Sequence, residues 1–254
     1  MWDSDPLAMV ILCVYACVPL AGVTINALRY PDGWQAWLLF VVIRLYCGLA
    51  FRWRANRRCP FPDQGPGIVI ANHRSPVDPL LILMNSHLRN PRGRFRVVGF
   101  LVAQEYYAIR GISWINHAMQ SIPVTRDGRD TKGSRAALRR LKAGELVGVF
   151  PEGGIGEGDE LGAANPGIAW LALRSRAPVY PVYIHNAPRG AHMAAAFYTF
   201  SRVRVTYGNP IDLSEFYGRK LSGSILQETT EKLMAELASQ GRHGEPEASC
   251  DNGL

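Results

Sequence analysis

The stretch Ile68-Val-Ile-Ala-Asn-His-Arg-Ser-Pro-Val-Asp78 decides the fold, because an apolar run gives way at once to polar residues and a proline. Residues 68–71 are apolar and mostly β-branched, which predicts a short buried strand. Ser75 is a good helix N-cap, and Pro76 suits the first position of a helix. The polar residues between strand and helix would therefore lie at the carboxyl end of a strand, where α/β sheets commonly build their sites.

Strand and helix patterns alternate on the C-terminal side of this stretch. Further strands are predicted at 95–102, 121–124, 146–150, 179–184 and 203–207. Helices are predicted at 76–86, 105–118, 131–143, 166–175 and 224–239. This alternation predicts an α/β fold in which a mixed or mainly parallel sheet is flanked by helices.

The N-terminal side is apolar. Residues 6–28 carry no charged side chain, and the only charged residue of a second apolar segment, 34–51, is Arg44. The first run is long enough to cross a bilayer core, which needs about 20 apolar residues. Arginines follow the second segment directly, as basic residues do on the cytoplasmic side of a membrane; they are Arg52, Arg54, Arg57 and Arg58.

These features predict that residues 1–58 form a two-helix membrane anchor, with the domain that follows it on the cytoplasmic face. Pro19 and Gly22 can break the first helix, so a hairpin that enters one leaflet is an alternative. A second alternative is that both helices are buried core of a soluble domain. We assign residues 59–240 to the α/β domain and expect the polar tail, 241–254, to be disordered.

Composition restricts the class of protein without choosing the function. The 254 residues are 48% hydrophobic and carry a net charge of +7. A basic balance suits an anionic membrane, a nucleic acid or a phosphate-bearing substrate. The five cysteines show no metal-ligand spacing, so we expect free thiols, no disulfide framework and no metal site.

His73 is the strongest candidate for a catalytic residue. Asp78 follows five residues later and can fold back to accept a hydrogen bond from one ring nitrogen of His73. The other nitrogen would then be free to take a proton from a substrate hydroxyl, as a general base does. The alternative is that Asp78 only caps a helix, since Ser75-x-x-Asp78 is close to a capping box.

Two further segments could bind a substrate. Phe150-Pro-Glu-Gly-Gly154 follows a predicted strand, where Glu152 and the backbone N–H of Gly153 could contact hydroxyl or phosphate groups. Arg126 lies just beyond another strand and could bind phosphate with paired donors. Each has an ordinary structural alternative, namely an acidic turn and a solvated surface arginine.

Taken together and in this order, these segments resemble the glycerolipid acyltransferase family, typified by 1-acylglycerol-3-phosphate acyltransferase. The matching residues are Asn72, His73 and Asp78, then Arg126, then Phe150 to Gly153, and then Pro181 in an apolar strand. The resemblance covers roughly residues 60–210. The family often continues Phe-Pro-Glu-Gly with Thr-Arg-Ser, whereas this chain has Gly154-Ile-Gly156.

The resemblance implies direct attack of an acceptor hydroxyl on an acyl thioester, with His73 as base and Asp78 holding its tautomer. Acyl-CoA or acyl carrier protein would be the donor and 1-acylglycerol 3-phosphate the acceptor, bound by Arg126, Glu152 and Gly153. No cofactor, metal or nucleic acid is expected. Two alternatives remain: the same chemistry on another lyso-lipid or on glycerol 3-phosphate, and a non-catalytic lipid-binding membrane protein.

Overall fold

A computed structural model describes residues 6–30, 32–84, 96–125, 131–156, 158, 160–189 and 194–243 of the chain. The strands are β1 (Arg54–Ala55), β2 (Gly67–Ala71), β3 (Val98–Ala103), β4 (Ile122–Val124), β5 (Leu146–Val149), β6 (Val179–His185) and β7 (Arg204–Tyr207). The helices are α1 (Pro6–Leu28), α2 (Trp34–Ala50), α3 (Asp78–Leu83), α4 (Gln104–Tyr107), α5 (Ile112–Ala118), α6 (Thr131–Lys142), α7 (Gly167–Ser175), α8 (Ala195–Tyr198) and α9 (Gly223–His243).

The strands form one seven-stranded sheet in the order β1-β7-β6-β2-β5-β3-β4. All neighbouring pairs are parallel except β6 and β7, which are antiparallel. The predicted mixed, mainly parallel α/β sheet is therefore confirmed. Because β2 lies between β5 and β6, the residues that follow these three strands meet at the carboxyl edge near the middle of the sheet.

Apolar side chains cover both faces of the sheet. Along β2, Val69 belongs to a core cluster that includes residues of α2 and α3, whereas Ile68 and Ile70 belong to a second cluster with residues of α6, α7 and α9. This alternation follows from the two-residue period of a strand. It explains why β2 has no polar residue and is buried along its whole length.

The two N-terminal helices lie where the sequence predicts helices, but they differ in burial. Helix α2 packs one face into the core through residues such as Leu39, Phe40 and Ile43. Its opposite face is an exposed apolar stripe formed by Trp34, Leu38, Val42, Leu45 and Leu49. Many apolar side chains of α1 are also exposed. The segment predicted as a membrane anchor thus lies partly in the core, because one face of α2 is buried there while the opposite face is exposed.

Among the residues that the structure describes, neither N-terminal helix is long and apolar enough to cross a membrane.

Three local predictions differ from the structure. The helix predicted at 105–118 is two helices, because Gly111 adopts φ +93° between α4 and α5. Helix α3 begins at Asp78 rather than at Pro76. Helix α9 runs to His243 and so includes the first residues of the predicted tail; the rest, 244–254, lies outside the described residues.

Candidate active site

His73 and Asp78 lie together at the carboxyl end of β2. His73 Nδ1 is 2.9 Å from Asp78 Oδ2, with 17% of the His73 side chain exposed and none of the Asp78 side chain. A carboxylate at this distance assigns the Nδ1 proton to the imidazole, which leaves Nε2 as an acceptor. The pair therefore has the geometry of a general base whose tautomer is fixed by a buried acid.

Asp78 also fixes the backbone that carries His73. Its Oδ2 accepts hydrogen bonds from the backbone N–H groups of Arg74 at 2.7 Å and Ser75 at 2.8 Å. The same oxygen that contacts His73 thus holds the turn before α3, and no side chain caps the helix itself. Ser75 does not cap α3; its hydroxyl donates to the carbonyl of Pro188 at 2.5 Å.

The ring of His73 is the end of a stack of three rings. It stacks on Phe150, with centroids 4.1 Å apart and planes 14° apart, and Phe150 stacks on Phe100 at 4.9 Å. Phe100 in turn lies against Gly148 of β5, where any side chain would overlap with the ring. The core thus holds the imidazole from one side, while its exposed edge faces outward.

Beside His73, Arg74 and Glu152 form a buried ion pair. Arg74 Nη1 lies 2.8 Å from Glu152 Oε2, and only 4% and 5% of the two side chains are exposed. The other oxygen, Oε1, accepts from the backbone N–H of His73 at 3.2 Å. The Glu152 carboxylate thus connects the turn after β5 to the turn after β2.

The residues that follow Glu152 wrap around this ion pair. The N–H of Gly156 donates to the carbonyl of His73 at 2.9 Å, and the N–H of Gly162 donates to Glu152 Oε2 at 2.9 Å. Arg74 Nη2 donates to the carbonyl of Glu160 at 2.6 Å. A side chain at Gly156 would overlap with the Arg74 guanidinium, so the glycine is needed for this close approach.

Asn72 anchors the same turn on its other side. Its side-chain amide donates to the carbonyl of Ile184 at 3.0 Å, and its oxygen accepts from the Ile184 N–H at 2.7 Å. The amide continues the β2–β6 ladder after β2 has ended. His73 is therefore held between contacts to β6 through Asn72 and to the turn after β5 through Glu152.

The sequence pattern of the family described as Acyltransferase matches residues 54–185, which is more than half of the chain. The chain belongs to the acyltransferase family. This acyltransferase is similar in fold to the crystal structure of the 1-acyl-sn-glycerophosphate (LPA) acyltransferase PlsC from Thermotoga maritima, with a TM-score of 0.63 and 20% identity over 94% of this chain and 93% of that one. A comparison with curated proteins finds no match.

The predicted site residues of the acyltransferase are partly brought together. His73, Asp78, Glu152 and Gly153 lie around the turns after β2 and β5. Gly153 adopts φ +73°, a conformation that favours glycine. Arg126 lies outside the described residues. The sequence pattern did not identify Arg74 as a site residue, because charged residues are rarely fully buried. The feature that pointed to Arg74 was its position between His73 and Ser75 in the motif.

Proposed function

We propose that the acyltransferase moves a fatty acyl group from an acyl thioester to the hydroxyl of 1-acylglycerol 3-phosphate, giving phosphatidic acid in phospholipid biosynthesis. The donor is acyl-CoA or acyl carrier protein. The observation that carries the proposal is the 2.9 Å contact between His73 Nδ1 and the fully buried Asp78 carboxylate. It supports a base whose tautomer is fixed so that Nε2 can take a proton from a hydroxyl group.

In this mechanism the acceptor hydroxyl lies against His73 Nε2 and gives up its proton as its oxygen attacks the thioester carbonyl. The C–S bond then breaks, and the imidazolium returns its proton to the departing thiolate. Asp78 stabilises the imidazolium while the charge is present. Neither a covalent acyl-enzyme nor a metal is needed for the atoms and electrons to balance.

The acceptor could also be a different lyso-lipid or glycerol 3-phosphate. Ile155 stands where the resembling family often has arginine, and 46% of it is exposed. The neighbouring Gly156 contacts the buried Arg74, whose guanidinium already bonds Glu152 and the Glu160 carbonyl. Since the guanidinium of Arg74 is engaged in these bonds, we propose that Arg126 and the backbone of Gly153 bind the phosphate of the acceptor.

Contact with a membrane is the remaining part of the proposal. The exposed apolar stripe of α2 and the exposed side chains of α1 support docking to a bilayer that holds the acceptor. Exposed Tyr198 and Phe200 add aromatic surface next to the end of α2, since Tyr46 of α2 donates to the carbonyl of Phe197.

The direct test is an acyl-transfer assay with purified protein. Labelled acyl-CoA and acyl carrier protein would each be combined with 1-acylglycerol 3-phosphate, glycerol 3-phosphate and lyso-lipids that lack a phosphate monoester. We expect the highest kcat/KM with 1-acylglycerol 3-phosphate. A higher kcat/KM with another acceptor would identify that acceptor as the substrate instead. If folded protein acylates none of the acceptors, an enzymatic function is refuted.

A further inference from the structure

The Glu152 side chain is buried and its oxygens are already in use. Only 5% of it is exposed. Its two oxygens accept three hydrogen bonds, from the backbone N–H of His73, the Arg74 guanidinium and the backbone N–H of Gly162. An acceptor phosphate would have to displace one of these donors, and the carboxylate would repel its negative charge. Contact between Glu152 and the acceptor, which the family resemblance implies, is therefore disfavoured.

The ion pair of Glu152 and Arg74 holds both polar groups of the His73 backbone. Glu152 Oε1 accepts from the His73 N–H at 3.2 Å. Arg74 Nη1, which lies 2.8 Å from Glu152 Oε2, also donates to the His73 carbonyl at 3.1 Å. The same carbonyl accepts from the Gly156 N–H at 2.9 Å. Since the N–H and the carbonyl flank the Cα of His73, these bonds fix the direction in which its side chain leaves the backbone.

This direction matters because the imidazole has two further contacts. Its Nδ1 lies 2.9 Å from Asp78 Oδ2, and its ring lies 4.1 Å from the Phe150 ring. Packing holds both partners in place, since Asp78 is fully buried and Phe150 stacks on Phe100. A shift of the His73 backbone would therefore weaken one of these contacts and change the direction of Nε2. A misplacement of about 1 Å can lower a rate about 10²-fold.

We propose that Glu152 is a positioning residue, which acts on the base through the His73 backbone and does not contact the acceptor; the inference rests on the proposed acyl transfer. A positioning residue changes the rate of the chemical step, so its loss lowers kcat. A residue that binds the acceptor equally in the ground state and the transition state changes KM instead. The two roles therefore predict different kinetic constants for the same substitution.

The test compares Glu152→Gln with Glu228→Gln, which makes the same change in an exposed ion pair with Arg219. The kcat and KM for 1-acylglycerol 3-phosphate would be measured at a temperature at which circular dichroism shows both variants folded. We expect Glu152→Gln to lower kcat about ten- to a hundred-fold, with a KM near that of wild type. Glu228→Gln should change neither constant.

A second measurement needs no substrate. The proton between His73 Nδ1 and Asp78 gives a low-field ¹H NMR resonance, which Glu152→Gln should shift and Glu228→Gln should not. A raised KM with unchanged kcat and resonance would show that Glu152 binds the acceptor, and no change in any of the three would show that it does not position the base. If wild-type protein transfers no acyl group, the proposed function fails, while the resonance still tests the position of His73.

Arg74→Lys serves as a second variant if Glu152→Gln does not fold. It keeps a positive charge beside Glu152, but a single ammonium cannot reproduce the planar guanidinium that also bonds the carbonyls of His73 and Glu160. We expect the same shift of the resonance and a lower kcat. A wild-type resonance and kcat in folded Arg74→Lys would overturn the inference.

Discussion

Arg74 and Glu152 are 78 residues apart in the chain, yet their charged groups meet at 2.8 Å within the protein, beside the backbone of His73. Removing one partner of a buried ion pair leaves an uncompensated charge, which costs about 3–5 kcal/mol. We therefore expect Arg74→Ala and Glu152→Ala to lower the free energy of unfolding by amounts in this range. Chemical denaturation would measure it.

The two substitutions should not be additive. In a double-mutant cycle, Arg74→Ala with Glu152→Ala should cost less than the sum of the single variants, because no charge is left alone. Additive losses would show that the two side chains act independently. Glu152→Gln should lower activity as well. Its single amide oxygen can replace either Oε1, which accepts from the His73 N–H, or Oε2, which accepts from Arg74 and Gly162, but not both.

Gly156 provides a matched comparison with Gly154. A Cβ at Gly156 would overlap with the Arg74 guanidinium, whereas a Cβ at Gly154 would meet nothing within 4 Å. Gly156→Ala should therefore displace Arg74, lower the melting temperature and reduce kcat. Gly154→Ala should change neither. The idea that the close approach at Gly156 positions the site would be wrong if the two variants had the same kcat.

His73→Ala and Asp78→Asn should both reduce acyl transfer, by about 10² to 10⁴-fold for the base. Their stabilities should differ. Asp78 is fully buried and accepts hydrogen bonds from His73 and two backbone groups through one oxygen, so Asp78→Asn should also lower the melting temperature. His73→Ala removes a partly exposed ring and should lower it less. Near-normal turnover of folded His73→Ala would contradict the assignment of the base.

Membrane docking can be tested on the exposed stripe of α2. Leu45→Lys with Leu49→Lys changes exposed positions, so the fold should survive while sedimentation with lipid vesicles falls. Leu221→Lys is a control, because Leu221 is exposed and its chain neighbours Phe216 and Ile225 pack into the core cluster that does not contain α2. High salt should not release the wild-type protein, since screening weakens charge contacts and leaves apolar burial in place. Equal sedimentation of all variants would argue against docking through α2.

The cysteines should differ in reactivity. Burial raises the pKa of the Cys47 thiol to about 12. At pH 8 Cys47 then forms on the order of 10³ times less thiolate than an unperturbed thiol of pKa about 8.5. Maleimide should modify exposed Cys13 and Cys17 first and buried Cys47 only after unfolding, which mass spectrometry of peptides would detect. Rapid labelling of Cys47 in folded protein would show that α2 does not pack as described.

The central part of the site was predictable because it is local. His73 and Asp78 are five residues apart in a strand–turn–helix pattern, so the sequence alone places the imidazole near the carboxylate. The alternation of apolar segments likewise predicts the parallel sheet. Helix α3 begins later than expected. The Ser75 hydroxyl donates to the carbonyl of Pro188 instead of capping a helix, and Asp78 accepts from the N–H groups of Arg74 and Ser75, which lie in the turn before α3.

The remaining contacts depend on the order of the strands, which local pattern does not determine. Glu152 reaches the His73 backbone only because β5 is the neighbour of β2. The burial of Arg74 depends on the same pairing. Strand β1 has only two residues, which periodicity cannot detect, and it is defined by its pairing with β7 at the edge of the sheet.

The stack of Phe100, Phe150 and His73 has a consequence for how the enzyme tolerates change. One face of the imidazole rests on the ring of Phe150, Phe150 stacks on Phe100, and Phe100 lies against the backbone of Gly148. Close-packed interiors transmit small changes in volume. The direction in which Nε2 points is therefore coupled to the volume of side chains in the hydrophobic interior. A substitution that changes the volume of these stacked side chains therefore affects both the stability of the core and the orientation of the base.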